Sequence, residues 1–311
     1  MSVGMSKIAF VVATKDRPKD IRNLLGSLAQ QSQLPDQVVI VDASARPVEN
    51  VVGEFPSLRI RYIRHLPPSA SAQRNAGIKA VDPDVDLIGF LDDDAVLDPG
   101  AMEAMMQFWH GASADVGGCG FNWMNPSPRG KLGTWLKSTS LVGWFGLYSR
   151  EQGKVMPSGW QTLAVAVPET MFVEWLSSCA SIWRRQVFEE FGFDEWFDGY
   201  SYLEDLDFSY SVGKRYRLAI VANAGFRHYP SRAGRGSAYR FGMVEVRNRL
   251  YFVRKQGLSI PRCYGATLIR LLITVGSIVL GGSQAKLARA AGNLAALVRS
   301  RSFVRETTFS G

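Results

Sequence analysis

Three consecutive aspartates, Asp92-Asp93-Asp94, follow the apolar run DLIGFL and are the sharpest local feature of the chain. Like charges so close repel unless a cation offsets them or water solvates them fully. The triplet is therefore either a divalent-ion site or a solvated turn that also caps a helix opening at Asp98. Alternation at a strand end predicts that Asp92 and Asp94 face one site while Asp93 turns aside. Hard carboxylate oxygens of this kind suit Mg²⁺ or Mn²⁺ bridging the phosphates of a ligand. A second acidic group, Glu204, Asp205 and Asp207, stands where a helix begins. Carboxylates there favour the helix dipole, or one of them takes a proton from an attacking hydroxyl as a general base. His228, in FRHYPS, becomes a third metal ligand only if these acids lie beside it.

Two more groups fit a nucleotide. Asp42 ends the run QVVIVD, where a carboxylate reaches base or ribose groups, and Arg74 and Asn75 in SAQRNAG stand at a helix start, suited to base edges or a diphosphate. No GxxxxGK[ST] loop is present, and no GxGxxG follows the first apolar run. ATPase and dinucleotide-oxidoreductase chemistry lose their usual signatures.

Strands buried on both faces position these residues. Ile8–Ala13, Gln37–Asp42 and Asp86–Leu91 are short continuous apolar runs, and Leu58–His65 alternates. Asp16 is placed to cap a helix with Pro18 in its first turn and Ile21, Leu24, Leu25 and Leu28 on its inner face. Ser71–Ala80 reads as a helix, and so does the stretch after Asp98-Pro99, with Met102, Met105, Met106 and Trp109 inward. Further on, regular structure resumes with Met171–Trp175, followed by helices near Arg184–Phe191 and Leu203–Lys214, a strand at Arg217–Val221, and a helix over Ala238–Lys255. The succession predicts an α/β domain with a mostly parallel central sheet flanked by helices. Ligands bind such sheets beyond the carboxyl ends of the strands, where the acids stand. All eight tryptophans lie between Trp109 and Trp196, and residues 122–165 show no clean period. An irregular segment of that length reads as a binding loop or lid.

In order, VVATKDRP, VVIVDASA, SAQRNAGI, FLDDDAVLDPG, VEWLSSCASIWRRQVFEEFGFDE, YLEDLDFSYSV and FRHYPS resemble the family 2 glycosyltransferases, which have the GT-A fold. The similarity runs from about Lys7 to Pro230. The resemblance implies that Thr14 and Asp42 contact the donor nucleotide, and that Arg74 and Asn75 line its base and ribose. It makes Asp92-Asp93-Asp94 the DxD motif, with Asp92 and Asp93 on the donor side and Asp92, Asp94 and His228 around Mn²⁺ or Mg²⁺. It makes Asp205 the catalytic base with Glu204 beside it, and puts Trp175 and Ser177-Ser178-Cys179 in the acceptor site. Ser178 departs from the glycine often found in relatives, which implies a pocket of different shape. The implied reaction is inverting transfer from a UDP- or dTDP-sugar to a hydroxyl of a glycan or lipid-linked acceptor, in making a cell-surface polysaccharide. Aromatic faces among the tryptophans suit sugar rings, although packing accounts for most of them. Two rival readings are a sugar-phosphate nucleotidyltransferase, which should carry a glycine-rich loop where VATKDRP stands, and a non-catalytic membrane-bound assembly subunit.

The chain has 311 residues, 46% hydrophobic and 21% charged, enough for a sizeable core. Its net charge of +8 is uneven. Residues 246–311 carry eleven Lys and Arg against Glu306 alone, so that segment is +10 and residues 1–245 are −2. A near-neutral body with a basic tail predicts a docking surface for an anionic membrane and no nucleic-acid partner. Tyr264–Gly282 is apolar apart from Arg270 and a few small polar residues, and reads as an interfacial segment, a spanning helix or a helical cap. The linear division is then 1–120 for the nucleotide-sugar half, 121–245 for the acceptor and catalytic half, and 246–311 for a helical membrane-associating segment. Three cysteines without a CxxC pair exclude a disulfide scaffold and a cysteine-only zinc site, and three unclustered histidines exclude an all-histidine cage. The apolar run near the N-terminus is too short for a signal peptide. The expectation is a cytoplasmic protein with free thiols, peripheral on the inner face of the plasma membrane or held there by one span.

Overall fold

A computed structural model describes residues 6–126, 140–199, 201–230, 237–279 and 283–306. The chain divides into two compact units, Met1–Pro128 with Leu163–Gly234 and Arg129–Thr162 with Arg235–Gly311. This cuts the chain differently from the linear division. Residues 1–120 and most of 121–245 build one sheet, whereas the described residues 140–162 group with the C-terminal helices.

The first unit holds strands β1 (Ile8–Thr14), β2 (Gln37–Asp42), β3 (Ile60–Arg64), β4 (Leu87–Leu91), β5 (Ala95–Leu97), β6 (Val116–Trp123), β7 (Met171–Val173), β8 (Ala180–Arg184) and β9 (Arg217–His228). Its helices are α1 (Pro18–Ala29), α2 (Glu49–Val52), α3 (Ala70–Ala80), α4 (Ala101–Gly111), then α6 (Val187–Glu190) and α7 (Glu204–Gly213); α5 (Ser140–Trp144) belongs to the second unit. The strand order is β3-β2-β1-β4-β8-β6-β9-β5, with β7 also on β9. The pairings β3-β2, β2-β1, β1-β4 and β6-β9 are parallel, but β8 runs antiparallel between β4 and β6, and β5 and β7 are antiparallel to β9. The sheet is thus mixed rather than mostly parallel, a correction that comes from the strands after β4.

Burial explains the elements. Successive residues of β1 and β2 feed opposite cores: Phe10, Val12, Val38 and Ile40 meet α1 and α4, while Val11, Val39 and Val41 lie on the face of Phe208 and Trp183. Ile21, Leu24, Leu25 and Leu28 of α1 and Met102, Met105, Met106 and Trp109 of α4 are buried, as their spacing predicts. Asp16 does not cap α1. It takes a left-handed φ of 56° and accepts the Ala45 N–H at 2.8 Å, which leaves Arg17 at the cap. Two segments escaped their sequence pattern. β6 reads VGGCGFNW, yet Gly118 and Gly120 lie where a Cβ would overlap Trp183 and Ile220. The glycines are needed for close packing, not for a turn. Residue Arg184, expected in a helix, instead ends β8.

In the second unit α8 (Ala238–Lys255) is capped by Ser237 and is followed by α9 (Ile260–Val279) and α10 (Gln284–Glu306). Gly242 and Gly292 let α8 and α10 touch backbone to backbone. Buried Glu245 then accepts Arg289 twice, at 3.0 and 2.7 Å, and Asn293 at 3.1 Å. Among the described residues no helix is long and apolar enough to cross a membrane, which corrects the spanning reading of Tyr264–Gly282; residues 280–282 lie outside the described ones. Cys263, Ala266 and Thr267 of α9 are buried, and Arg270, Thr274 and Ser277 interrupt its apolar character.

Candidate active site

The acids meet at the carboxyl edge of β4. Arg74 of α3, itself buried, donates from Nη1 to Glu204 at 2.6 Å and from Nη2 to Asp92 at 3.0 Å. One guanidinium thereby ties α3, β4 and α7 together. Asp205 accepts Ser177 Oγ at 3.1 Å and the Leu206 N–H at 2.8 Å. The residue before α7, Leu203, is buried at a φ of 77°, and Ser201 has a φ of 52°. A non-glycine residue enters that region at a cost of roughly 1–2 kcal/mol, and such strain gathers at functional sites. Here the strained turn delivers both acids in the first turn of α7.

The backbone turns at the aspartate triplet in place of continuing as a strand. Asp92 N–H is held by the Cys179 carbonyl at 2.9 Å, and the chain turns at Asp93-Asp94, closed by the Ala95 N–H on the Asp92 carbonyl at 3.0 Å. The turn ends the alternation. Asp93 accepts Arg17 Nη1 at 2.7 Å and Thr14 Oγ1 at 2.8 Å, in a buried clamp. Asp94 lies 3.5 Å from Arg17 Nη1 and 2.8 Å from His228 Nε2. The pairing of Ala95 with His228 across β5 and β9 sets that contact. Asp92, Asp94, Glu204, Asp205 and His228, distant in sequence, therefore surround one place.

Burial dominates the electrostatics. It pushes Asp93 up to about 7 and Glu204 up to about 8, against the pull of Arg17 on the first and Arg74 on the second. Asp205 is raised by burial too, with Arg74, the Leu206 N–H and the Ser177 hydroxyl opposing. A carboxylate raised in this way is a better proton acceptor near neutrality.

Other expected residues sit further back. Asp42 is fully buried and accepts Ser44 N–H at 2.7 Å, Val48 N–H at 3.0 Å, Tyr62 Oη at 2.5 Å and Arg64 Nη1 at 2.7 Å. In place of an open oxygen, this corner presents half-exposed Arg64. Thr14 is spent on Asp93. Asn75 buckles α3 to the loop beyond α6 through the Phe193 backbone, at 2.8 and 3.1 Å, and Glu195 at 2.9 Å. Trp175 and Ser178 are buried, so of the expected acceptor residues Ser177 is the one that reaches Asp205. Sequence reading passed over Arg17, although a cation right after β1 was a signal. It placed Cys179 with the acceptor segment and not beside the aspartates, and gave no individual role to Trp123, whose ring stands 5.3 Å from that of His228.

Asp92, Cys179 and His228 each offer a donor atom, all within 4.8 Å of one another. With Asp94 against His228, carboxylate oxygens and an imidazole form a donor set that fits a divalent cation.

Residues 9–165 match the profile of Glycosyl transferase family 2. Over 100 residues the chain is 34% identical to the Uncharacterized glycosyltransferase YwdF of Bacillus subtilis (strain 168), a match spanning 32% of this chain and 37% of that protein. Among solved structures, S. aureus TarS is similar with a TM-score of 0.53 at 16% identity, over 86% of this chain and 43% of TarS. TarS 1-349 in complex with UDP-GlcNAc gives 0.51 at 17% identity, over 98% and 75%. The mannosyltransferase PcManGT of Pyrobaculum calidifontis, in complex with GDP-Man and Mn²⁺, gives 0.54 at 13% identity, over 95% and 87%. Likeness at these identities bears on the fold alone. A mixed sheet of this order with flanking helices is consistent with the GT-A fold. The chain belongs to glycosyl transferase family 2, and it spans less than half the length of YwdF and of TarS.

Proposed function

We propose that the enzyme moves a sugar from a nucleotide-diphosphate donor to a hydroxyl of a glycan or lipid-linked acceptor with inversion, in cell-surface polysaccharide synthesis. The observation that carries the reading is Arg74, which joins Glu204 to Asp92 and so puts Asp205 beside the aspartate triplet. Asp205 takes the proton of the attacking hydroxyl; Ser177 and the Leu206 N–H hold its carboxylate in place. Glu204, locked to Arg74, positions the pair. Asp92, Asp94 and His228 would hold Mn²⁺ or Mg²⁺, and a divalent ion there neutralises the charge that develops on the leaving diphosphate. Arg17 and Thr14 keep Asp93 and Asp94 in register for that task. The solved relatives bound to UDP-GlcNAc or GDP-Man support a nucleotide-sugar donor. Family membership argues against the nucleotidyltransferase reading, and the intact acidic set argues against a non-catalytic subunit.

The C-terminal unit supplies an anionic-membrane partner in this reading. Leu268, Leu272 and Val275 of α9 and Leu287, Leu294 and Val298 of α10 are exposed at helical spacing, with Lys286 and Arg299 among the latter. Apolar stripes beside cations suit an interfacial helix on the inner face of the plasma membrane.

A screen of nucleotide sugars with and without Mn²⁺, followed by transfer assays, tests the donor. Asp205→Asn should bind donor as the parent does and lose transfer by about 100-fold or more. Near-normal turnover in that variant would refute the assignment of the base.

A further inference from the structure

We propose that Cys179 is itself a metal ligand, so that the divalent-ion site is a mixed oxygen, nitrogen and sulfur site that favours thiophilic cations such as Zn²⁺ and Co²⁺ over Mg²⁺. The inference rests on the donor-site reading above and deepens it by naming the class of cation.

Its basis is placement by the sheet. Cys179 precedes β8 directly, and Leu91 pairs with Ala180 across the antiparallel β4-β8 ladder. The Asp92 N–H on the Cys179 carbonyl, at 2.9 Å, extends that ladder by one step. Residues opposed in this way bring their side chains together. His228 arrives from the end of β9. The outcome is one carboxylate oxygen, one sulfur and one imidazole nitrogen within 4.8 Å of one another, on three half-buried residues. Around a tetrahedral Zn²⁺, donors at about 2.0–2.3 Å from the ion lie roughly 3.3–3.8 Å apart, so side-chain movements of about an ångström close the site. Among the described residues this is where three such side chains gather.

The chemistry of the set differs from an all-oxygen site. Sulfur is a soft donor, and imidazole suits Zn²⁺ and Co²⁺, whereas Mg²⁺ takes oxygen and water and gains little from either. Binding forms a metal–sulfur bond and releases the thiol proton to water, with no change of oxidation state. The other two cysteines, Cys119 and Cys263, are buried elsewhere, so a sulfur signal at the metal reports Cys179.

The test uses the full chain, stripped of metal and titrated with Co²⁺ under reducing, oxygen-free conditions. A sulfur-to-cobalt charge-transfer band should grow to saturation at one equivalent, with release of the thiol proton. Cys179→Ser should lose the band and weaken Zn²⁺ binding, measured by competition, by about tenfold or more, while Mg²⁺ affinity stays where it was. Co²⁺ bound with visible ligand-field bands but no charge-transfer band would overturn the assignment of Cys179 and leave the donor-site reading standing. Unchanged Zn²⁺ affinity in the variant would do the same. If no divalent ion binds at all, with or without nucleotide diphosphate, both readings fall. Should Cys179→Ser fail to fold, the spectrum of the parent protein decides.

Discussion

At the scale of single residues, Asp205 is governed by a competition between burial, which favours its proton, and Arg74, which opposes it. Its ionised form is the one that accepts a proton. Because the folded value is raised above 3.8, turnover should fail as pH drops through a point above the ordinary aspartate range. Arg74→Met removes the largest opposing charge, so the acid limb of kcat should move to still higher pH. A pH profile of parent and variant, with nucleotide binding measured alongside, checks the direction. A limb that stays put would mean that another group sets it.

At the scale of elements, the loop after β1 and the turn after β4 stabilise each other through Arg17. The Arg17 side chain is 15% exposed and that of Asp93 4%, so the pair is largely desolvated. Removing one partner of such a pair leaves a buried charge, at a cost of about 3–5 kcal/mol. Arg17→Met should lower the melting temperature accordingly, and Mn²⁺ should recover part of the loss by replacing the missing positive charge. Asp93 adds a pH dependence of known sign. Its folded value of about 7 exceeds the ordinary 3.8, so the folded state holds a proton that the unfolded chain has lost. Stability from this group is therefore present below pH 3.8 and drains away as pH rises through about 7. Thermal melts in the absence of divalent ion should show the decline, and Asp93→Asn should flatten it. β6 offers a packing test: Gly118→Val drives a side chain into Trp183 and should cost about 1–3 kcal/mol.

At the scale of the whole molecule, the charge divides between residues 1–245, which are near neutral, and a strongly basic stretch over residues 246–311. If α9 and α10 dock on anionic lipid, the protein should float with vesicles containing phosphatidylglycerol and not with neutral ones, and salt should weaken the association. Leu272→Glu with Val298→Glu puts acids on both exposed stripes and should abolish flotation without changing transfer to a soluble acceptor. Equal flotation by parent and variant would place the contact elsewhere.

Much was legible before folding was considered. The run Ile8–Ala13 is apolar throughout and Gln37–Asp42 is apolar between its two end residues, which a strand covered on both faces explains, and the DDD and ED groups stand at the ends of elements where ligands bind. What stayed hidden depends on residues brought side by side from far along the chain. The glycines of β6 look like turn formers until Trp183 is seen to need their space. Asp42 looks like an open carboxylate until Tyr62 and Arg64 close over it. Cys179 carries no local motif, because its partners Asp92 and His228 come from strands that are neighbours only in the assembled sheet. Local sequence reports periodicity and end signals, since both arise from the geometry of a single element. The antiparallel insertion of β8, the division of the aspartate triplet and the sulfur at its edge come from pairing between elements, which no short stretch of sequence encodes.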